Sequence, residues 1–244
     1  MERQLYQQMA VSEDTHWWFA ARRSMVRALL CKAPRVDHAE LLDAGCGTGG
    51  NLAMLSEFGK VYGFEYDDEA RGHAKARGIC TIEAGSLPNG VPFDGITFDG
   101  ILLTDVLEHI DDDNTTLASL SKRLKPGGWL IITVPAFSFL WTHHDVQNHH
   151  KRRYLKAELE SKLAQAGFHL TYSSYCFLTI FPLALLAAWC EKLGIAGLRE
   201  TGLKQPHPLI NSMLRLVASL DVLFIRLGIT LPIGVSCIAL ARKS

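Results

Sequence analysis

Apolar residues gather along this chain in short runs set between glycines, prolines and charges, and the runs alternate with stretches of helical spacing. ELLDA (40–44), KVYGFE (60–65), ICTIE (79–83), FDGILLTDV (98–106) and WLIITVP (129–135) read as five buried strands. Helical spacing fills 51–58, 69–78 with Gly78 at its end, and 112–124 closed by KPGG. Strands joined by single-helix crossovers form a mostly parallel sheet covered on both faces, so the expected class is α/β and doubly wound. A helix-like stretch leads into the first strand, running to about Leu30. Beyond the fifth strand come the loop AFSFLWTHHDVQNHHKRRY, a helix over 155–166 ended by Gly167, a sixth strand in 168–177 and a seventh in 235–243. Two apolar helices, around Pro182 to Leu193 and Leu209 to Leu227, are inserted between the last two strands; that is longer than an ordinary connection.

Composition narrows the function classes. The 48% of hydrophobic residues can build a substantial core, and 25 Lys plus Arg balance 25 Asp plus Glu, so no field of one sign gathers nucleic acid. Cys31, Cys46, Cys80, Cys176, Cys190 and Cys237 show neither a CxxC pair nor a framework spacing and read as reduced thiols of a cytoplasmic protein. The N-terminus lacks the apolar stretch of a secretory signal. No charge occurs from Leu170 to Cys190, which invites comparison with a membrane span. Pro182 interrupts the segment and Glu191 and Lys192 follow it, so the expectation is a buried or interfacial helix.

LLDAGCGTGG, residues 41–50, ends the first strand on a carboxylate and then exposes bare backbone. Glycines between a strand and a helix let a ligand approach the main chain, and the helix amides add a polar cradle. Gly45, Gly47 and Gly50 fit G-x-G-x-x-G while Gly45, Gly47 and Gly49 fit G-x-G-x-G, so the glycines alone leave two cofactor classes open. Asp43 separates them: a carboxylate there repels a dinucleotide's pyrophosphate and suits S-adenosylmethionine, which has no phosphate and carries an ammonium and a sulfonium. Glu65, at the tip of the second strand, suits both ribose hydroxyls, and Tyr66 offers a wall for adenine.

From about His16 to Phe168 these motifs, in this order, resemble the class I S-adenosylmethionine-dependent methyltransferases, which implies a Rossmann-like fold and S-adenosyl-L-methionine as cofactor. The resemblance places Asp43, Gly45, Cys46, Gly47 and Gly49 around the methionine part, Glu65 and Tyr66 at the ribose and adenine, and Ser86 with Leu87 at the adenine edge. Thr104, Asp105 and Val106 then line the methionine side. Ser86 departs from the acid common there and accepts more weakly. EDTHWWFAARRSMVRALL resembles the N-terminal lid helix of one subgroup, with Trp18, Arg22 and Arg23 toward the cofactor; the adjacent Trp17, Trp18 and Phe19 also read as an apolar docking seam. The implied layout is one methyltransferase domain: lid helix 1–35, cofactor-binding core 36–175, apolar helical insertion 176–231 and last strand 232–244.

Methyl transfer is an in-line displacement at the sulfonium, so the protein mainly aligns the acceptor and manages its proton. Candidate bases follow the fourth and fifth strands: His109, then His143, His144, Asp145, His149 and His150, of which His144 and His149 are preferred. His109, Arg152, Arg153 and Tyr154 form the expected acceptor-binding set. HHDVQNHH matches no established ligand spacing, so no metal is expected. The apolar insertion could roof the pocket, which is compatible with a small or lipid-linked acceptor, peripheral membrane contact or a homodimer. Two rival readings remain: a catalytically silent binding or assembly module, and an NAD-type oxidoreductase.

Overall fold

Strand β4 (Phe98–Thr104) is buried at every position, as a strand covered on both faces must be. Its neighbours are β1 (Glu40–Ala44) and β5 (Leu124–Pro135). With β2 (Lys60–Glu65), β3 (Thr81–Ala84), β6 (Phe168–Cys176) and β7 (Ser236–Lys243) they make one seven-stranded sheet in the order β3-β2-β1-β4-β5-β7-β6. All pairs are parallel except those of β7, which runs antiparallel to both β5 and β6. The computed structural model describes residues 3–194 and 206–244.

Successive residues of a strand point to opposite faces, and here both faces are apolar. Leu41, Leu102 and Ile131 pack in one cluster with α2 (Trp17–Leu30), α3 (Leu52–Ser56) and α9 (Pro208–Leu227). Leu42, Leu103 and Leu130 pack in the other with α5 (Asp113–Arg123) and α7 (Lys156–Gln165). The chain reverses its winding between β1 and β4, and at such a switch point strand ends diverge and leave a crevice.

Four features differ from the sequence expectation. The N-terminal helix is two helices, α1 (Arg3–Ser12) and α2, broken at residues 13–16, where the His16 side chain accepts from Trp18 N–H as an N-cap. α2 is more than a lid: Met25, Val26 and Leu29 are fully buried between sheet and α9, while Trp18 and Arg22 of its first turns border the cavity. No helix joins β3 to β4; Gly85, Pro88, Gly90 and Pro92 break one, and Ser86 and Gly90 exchange backbone hydrogen bonds of 2.9 and 2.8 Å instead. The loop after β5 contains a short helix, α6 (His143–Gln147), started by a capping box between Thr142 and Asp145.

The insertion forms α8 (Phe181–Lys192) and α9, and its few polar residues explain its docking. Asn211 accepts from Trp17 N–H at 2.8 Å and donates to the Thr15 carbonyl at 2.9 Å, fixing α9 to the start of α2. Buried Asp221 accepts from Leu178 N–H at 2.9 Å and Thr179 Oγ1 at 3.1 Å, fixing α9 to the approach of α8. α9 is long and apolar enough to cross a membrane by length and composition, yet Ala218, Val222 and Ile225 of its inner side belong to the core.

Candidate functional site

The C-terminal ends of the parallel strands open on a cavity of about 780 Å3, with α1, α2 and α8 contributing its remaining walls. On one side lies the glycine loop. Gly45 has φ +72°, and a Cβ there would come within 2.8 Å of Val106 Cγ2, so only glycine lets the loop close on the β4 end. Gly47, Thr48, Gly50 and Asn51 carry the wall onward. Glu65 is buried, its carboxylate held by Gly47 N–H and Asp67 N–H, both at 2.9 Å. One amide on each oxygen leaves lone pairs facing the cavity, suited to a ribose diol.

Most of the residues expected at a cofactor lie on this cavity: Trp18, Arg22, Arg23, Gly45, Cys46, Gly47, Glu65, Tyr66, Ser86, Leu87, Thr104, Asp105 and Val106. Two do not. Gly49 faces α4 (Asp68–Ala76), where a Cβ would meet Ala74 Cα at 3.2 Å, and Gly50 takes its place in the wall. Asp43 is fully buried outside the wall, with no protein donor to either oxygen. Burial pushes its carboxyl up to about 7, with Arg22 opposing, so it is a weaker charge discriminator than its position in the sequence implies.

The two arginines are already occupied. Arg22 forms an ion pair with Asp105, and Arg23 donates to the Glu13 carbonyl at 2.7 Å. Burial alone would raise Asp105, but Arg22 and the Thr133 hydroxyl at 2.8 Å outweigh it and hold the carboxyl low. Trp18 does both things expected of it: it borders the cavity and stacks on Phe177 at 4.0 Å. Glu13, which the sequence reading overlooked, accepts from Thr48 Oγ1 at 2.7 Å and pairs with Arg77, latching the α1–α2 turn onto the glycine loop. An acid within SEDTH, an N-cap cluster ahead of α2, was the available signal.

The opposite wall is built from the segment after β4, the histidine segment after β5, and α8. His109, His144 and Arg153 line it. His149 is exposed and lies off the cavity, as Asn148 ends α6 and His149 itself adopts φ +56°. His144 Nε2 sits 3.1 Å from Asn148 Nδ2, an amide donor, so that lone pair is engaged, while the residue keeps solvent exposure. Arg152 and Tyr154 also lie off the wall: Arg152 binds Asp113 at 3.1 Å, and fully buried Tyr154 bonds the same carboxylate at 3.0 Å. They anchor the first turn of α5. Arg153 grips Asp145 through two hydrogen bonds, of 2.8 and 2.9 Å.

In this wall His150, rather than His149, meets the residues after β4. Its Nδ1 is 2.8 Å from Asp145 Oδ1, and its ring lies 4.7 Å from that of His109. Beside them Glu108 is fully buried with neither oxygen bonded. Burial and then Asp105 raise the Glu108 carboxyl, and burial and then His150 lower His109 to about 4. Above, Glu191 of α8 accepts from His143 N–H at 2.6 Å, so the insertion does roof this end of the cavity.

Comparison with known proteins adds to this geometry. Residues 16–173 match the model of a family described as a methyltransferase domain. A "probable S-adenosylmethionine-dependent methyltransferase" of Mycolicibacterium smegmatis is 26% identical over 64% of this chain, and the match spans 61% of that protein's length. Trans-aconitate 2-methyltransferase of Deinococcus radiodurans is 28% identical over 81% of this chain and 73% of its own. Among solved structures, a SAM-dependent methyltransferase of Thermotoga maritima superposes with a TM-score of 0.61 at 16% identity, covering 99% of this chain and 95% of that one.

Proposed function

Since this chain belongs to the methyltransferase domain family, within the class I S-adenosylmethionine-dependent enzymes, we propose that it methylates a small acceptor bound between the glycine loop and the Glu108–His150 wall. The observation that carries this reading is the single cavity joining the two walls. The resident residues fit the cofactor: the Gly45 approach is closed to any side chain, and Glu65 keeps acceptor capacity. When bound, S-adenosylmethionine supplies a methyl group already activated on sulfur. Glu65 orients its ribose and the loop amides its methionine part, while the wall formed by Glu108, His109 and His150 receives the acceptor and controls its proton. The free cysteines are consistent with a reducing compartment such as the cytoplasm.

Isothermal titration tests the cofactor class: S-adenosylhomocysteine should bind with one site per chain and NAD should not. Binding of NAD in preference would remove the reading. Incubation of labelled methyl donor with extract fractions should then yield a labelled small molecule; persistent cofactor binding without any labelled product would favour the silent module.

A second reading concerns the acceptor's tail. α8 lines the cavity through Ala184 and Ala187 while exposing Leu183, Leu186 and Trp189 on its other side. Its one acid, Glu191, is bonded to His143, and the one acid of α9, Asp221, is buried, so these helices present apolar and basic surface outward. That chemistry favours an anionic membrane surface and a lipid-linked acceptor reached along α8. Cosedimentation with anionic liposomes should follow; protein that stays in the supernatant, or that dimerises through these faces, removes this reading.

A further inference from the structure

The sequence expectation of no metal weighed the spacing of HHDVQNHH and its place in an irregular loop, and neither can register ligands drawn from two segments. Glu108 and His109 follow β4; His150 follows α6; a backbone bond of 2.7 Å from Lys151 N–H to the Glu108 carbonyl ties the segments side by side. One carboxylate oxygen and one nitrogen from each imidazole thereby lie within 4.8 Å of one another. Ligands around a common ion at about 2.1 Å sit roughly 3–3.5 Å apart, so closing the widest separation by roughly 1.3–1.8 Å, shared between two side chains, converts the cluster into a coordination site.

We propose that Glu108, His109 and His150 hold a divalent first-row transition metal ion whose open positions face the acceptor end of the cavity.

Three observations support it. A fully buried carboxylate with neither oxygen bonded is costly, and a cation between the imidazoles satisfies it. His150 is held by its other nitrogen, as ligand histidines are: Asp145 takes His150 Nδ1 at 2.8 Å, which leaves Nε2 for the ion. Asp145 is itself clamped by Arg153 and by the Thr142 amide at 2.8 Å, so the support extends past the ligands. Two imidazoles and one carboxylate suit manganese, iron, cobalt, nickel or zinc better than calcium or magnesium. All three residues line the cavity that also holds Glu65 and the glycine loop.

This inference rests on the methyl-transfer reading and narrows it to hydroxyl acceptors. A hydroxyl bound to such an ion ionises near neutrality. Its O–H bond breaks with the electron pair left on oxygen, the proton passes to the Glu108 oxygen that is not on the ion, and the metal's oxidation state does not change. The oxygen then attacks the sulfonium methyl carbon: the O–C bond forms as the C–S bond breaks with its electron pair left on sulfur, and S-adenosylhomocysteine leaves.

The test is titration of the chelator-treated full chain with cobalt(II) alone, read by visible absorption. Wild type should show saturable bands at one equivalent. Glu108→Gln and His150→Gln should abolish them, Asp145→Asn should weaken binding by about 10–100-fold, and His149→Ala should leave it unchanged. Because the two ligand variants lie in separate segments, misfolding of one leaves the other to decide. Absence of saturable binding in wild type, or equal binding by Glu108→Gln, overturns the site. S-adenosylhomocysteine titrated in parallel separates the failures: if it binds and cobalt does not, only the metal falls; if it does not bind, methyl transfer falls first.

Discussion

Asp43 and Glu108 are both wholly buried acids with no protein donor to either oxygen, yet they stand in unlike company. Asp43 sits in the glycine-loop region, outside the cavity wall, where Arg22 is the cation and Glu65 and Glu13 are the anions that act on it. Glu108 stands in the wall, beside the imidazoles of His109 and His150, the second held through its Nδ1 by Asp145. The first arrangement adjusts the charge beneath a backbone cradle. The second leaves ligand atoms converging on a point. An orphan acid is therefore informative only together with its neighbours, and the proposed function assigns the two walls different labour: the glycine loop with Glu65 to the cofactor, the Glu108–His150 side to the acceptor.

The contrast can be broken first at Asp43. Its folded carboxyl lies at about 7 against an ordinary 3.8, so the folded protein retains a proton that the unfolded chain gives up between those values. The stability linked to it is fully present below about pH 4 and is lost as pH rises through 7, an effect of roughly 4 kcal/mol at most. Asp43→Asn should flatten the decline in Tm of the ligand-free protein between about pH 4 and 8, measured by calorimetry. An unchanged slope would erase the distinction drawn for this acid.

A smaller effect sharpens the division of labour. Glu65→Ala removes a charged hydrogen-bond acceptor worth about 1.5–3 kcal/mol, so S-adenosylhomocysteine affinity should fall by roughly 10–100-fold in isothermal titration, with cobalt binding unaltered. If both ligands weaken together, the walls are not independent. Tyr154→Phe should cost about 1–2 kcal/mol in urea unfolding, through loss of the Asp113 hydrogen bond, and spare both titrations. Smallest of all, His149→Ala should change neither stability nor either titration, as its side chain lies off the cavity.

The same division explains what the sequence could disclose. The glycine loop, Glu65 and the strands of the parallel core are contiguous motifs whose residue types are demanded locally by backbone approach, a strand-tip acid or burial on both faces. The acceptor wall is assembled from the β4 exit, the histidine segment and α8, so its partners have no fixed spacing to read. His149 and His150 are adjacent and chemically identical in the sequence; the end of α6 and the positive φ of His149 decide which one turns inward. Thr142-x-x-Asp145 was a legible capping signal for α6, and SEDTH for the break before α2, each passed over because the flanking pattern was read as one element. Arg152 and Tyr154 look like binding residues because charge and hydroxyl invite it, but buried Asp113 claims both.

The last strand carries a consequence for biogenesis. β7 is the last of the seven strands in chain order, yet it lies between β5 and β6 and pairs with each. Until its eight residues emerge, the two earlier strands have no partner between them, and an unpaired edge is a template for aggregation. The sheet thus closes only once its last strand is made, and chains cut short before β7 should depend on a holding chaperone far more than chains that carry it.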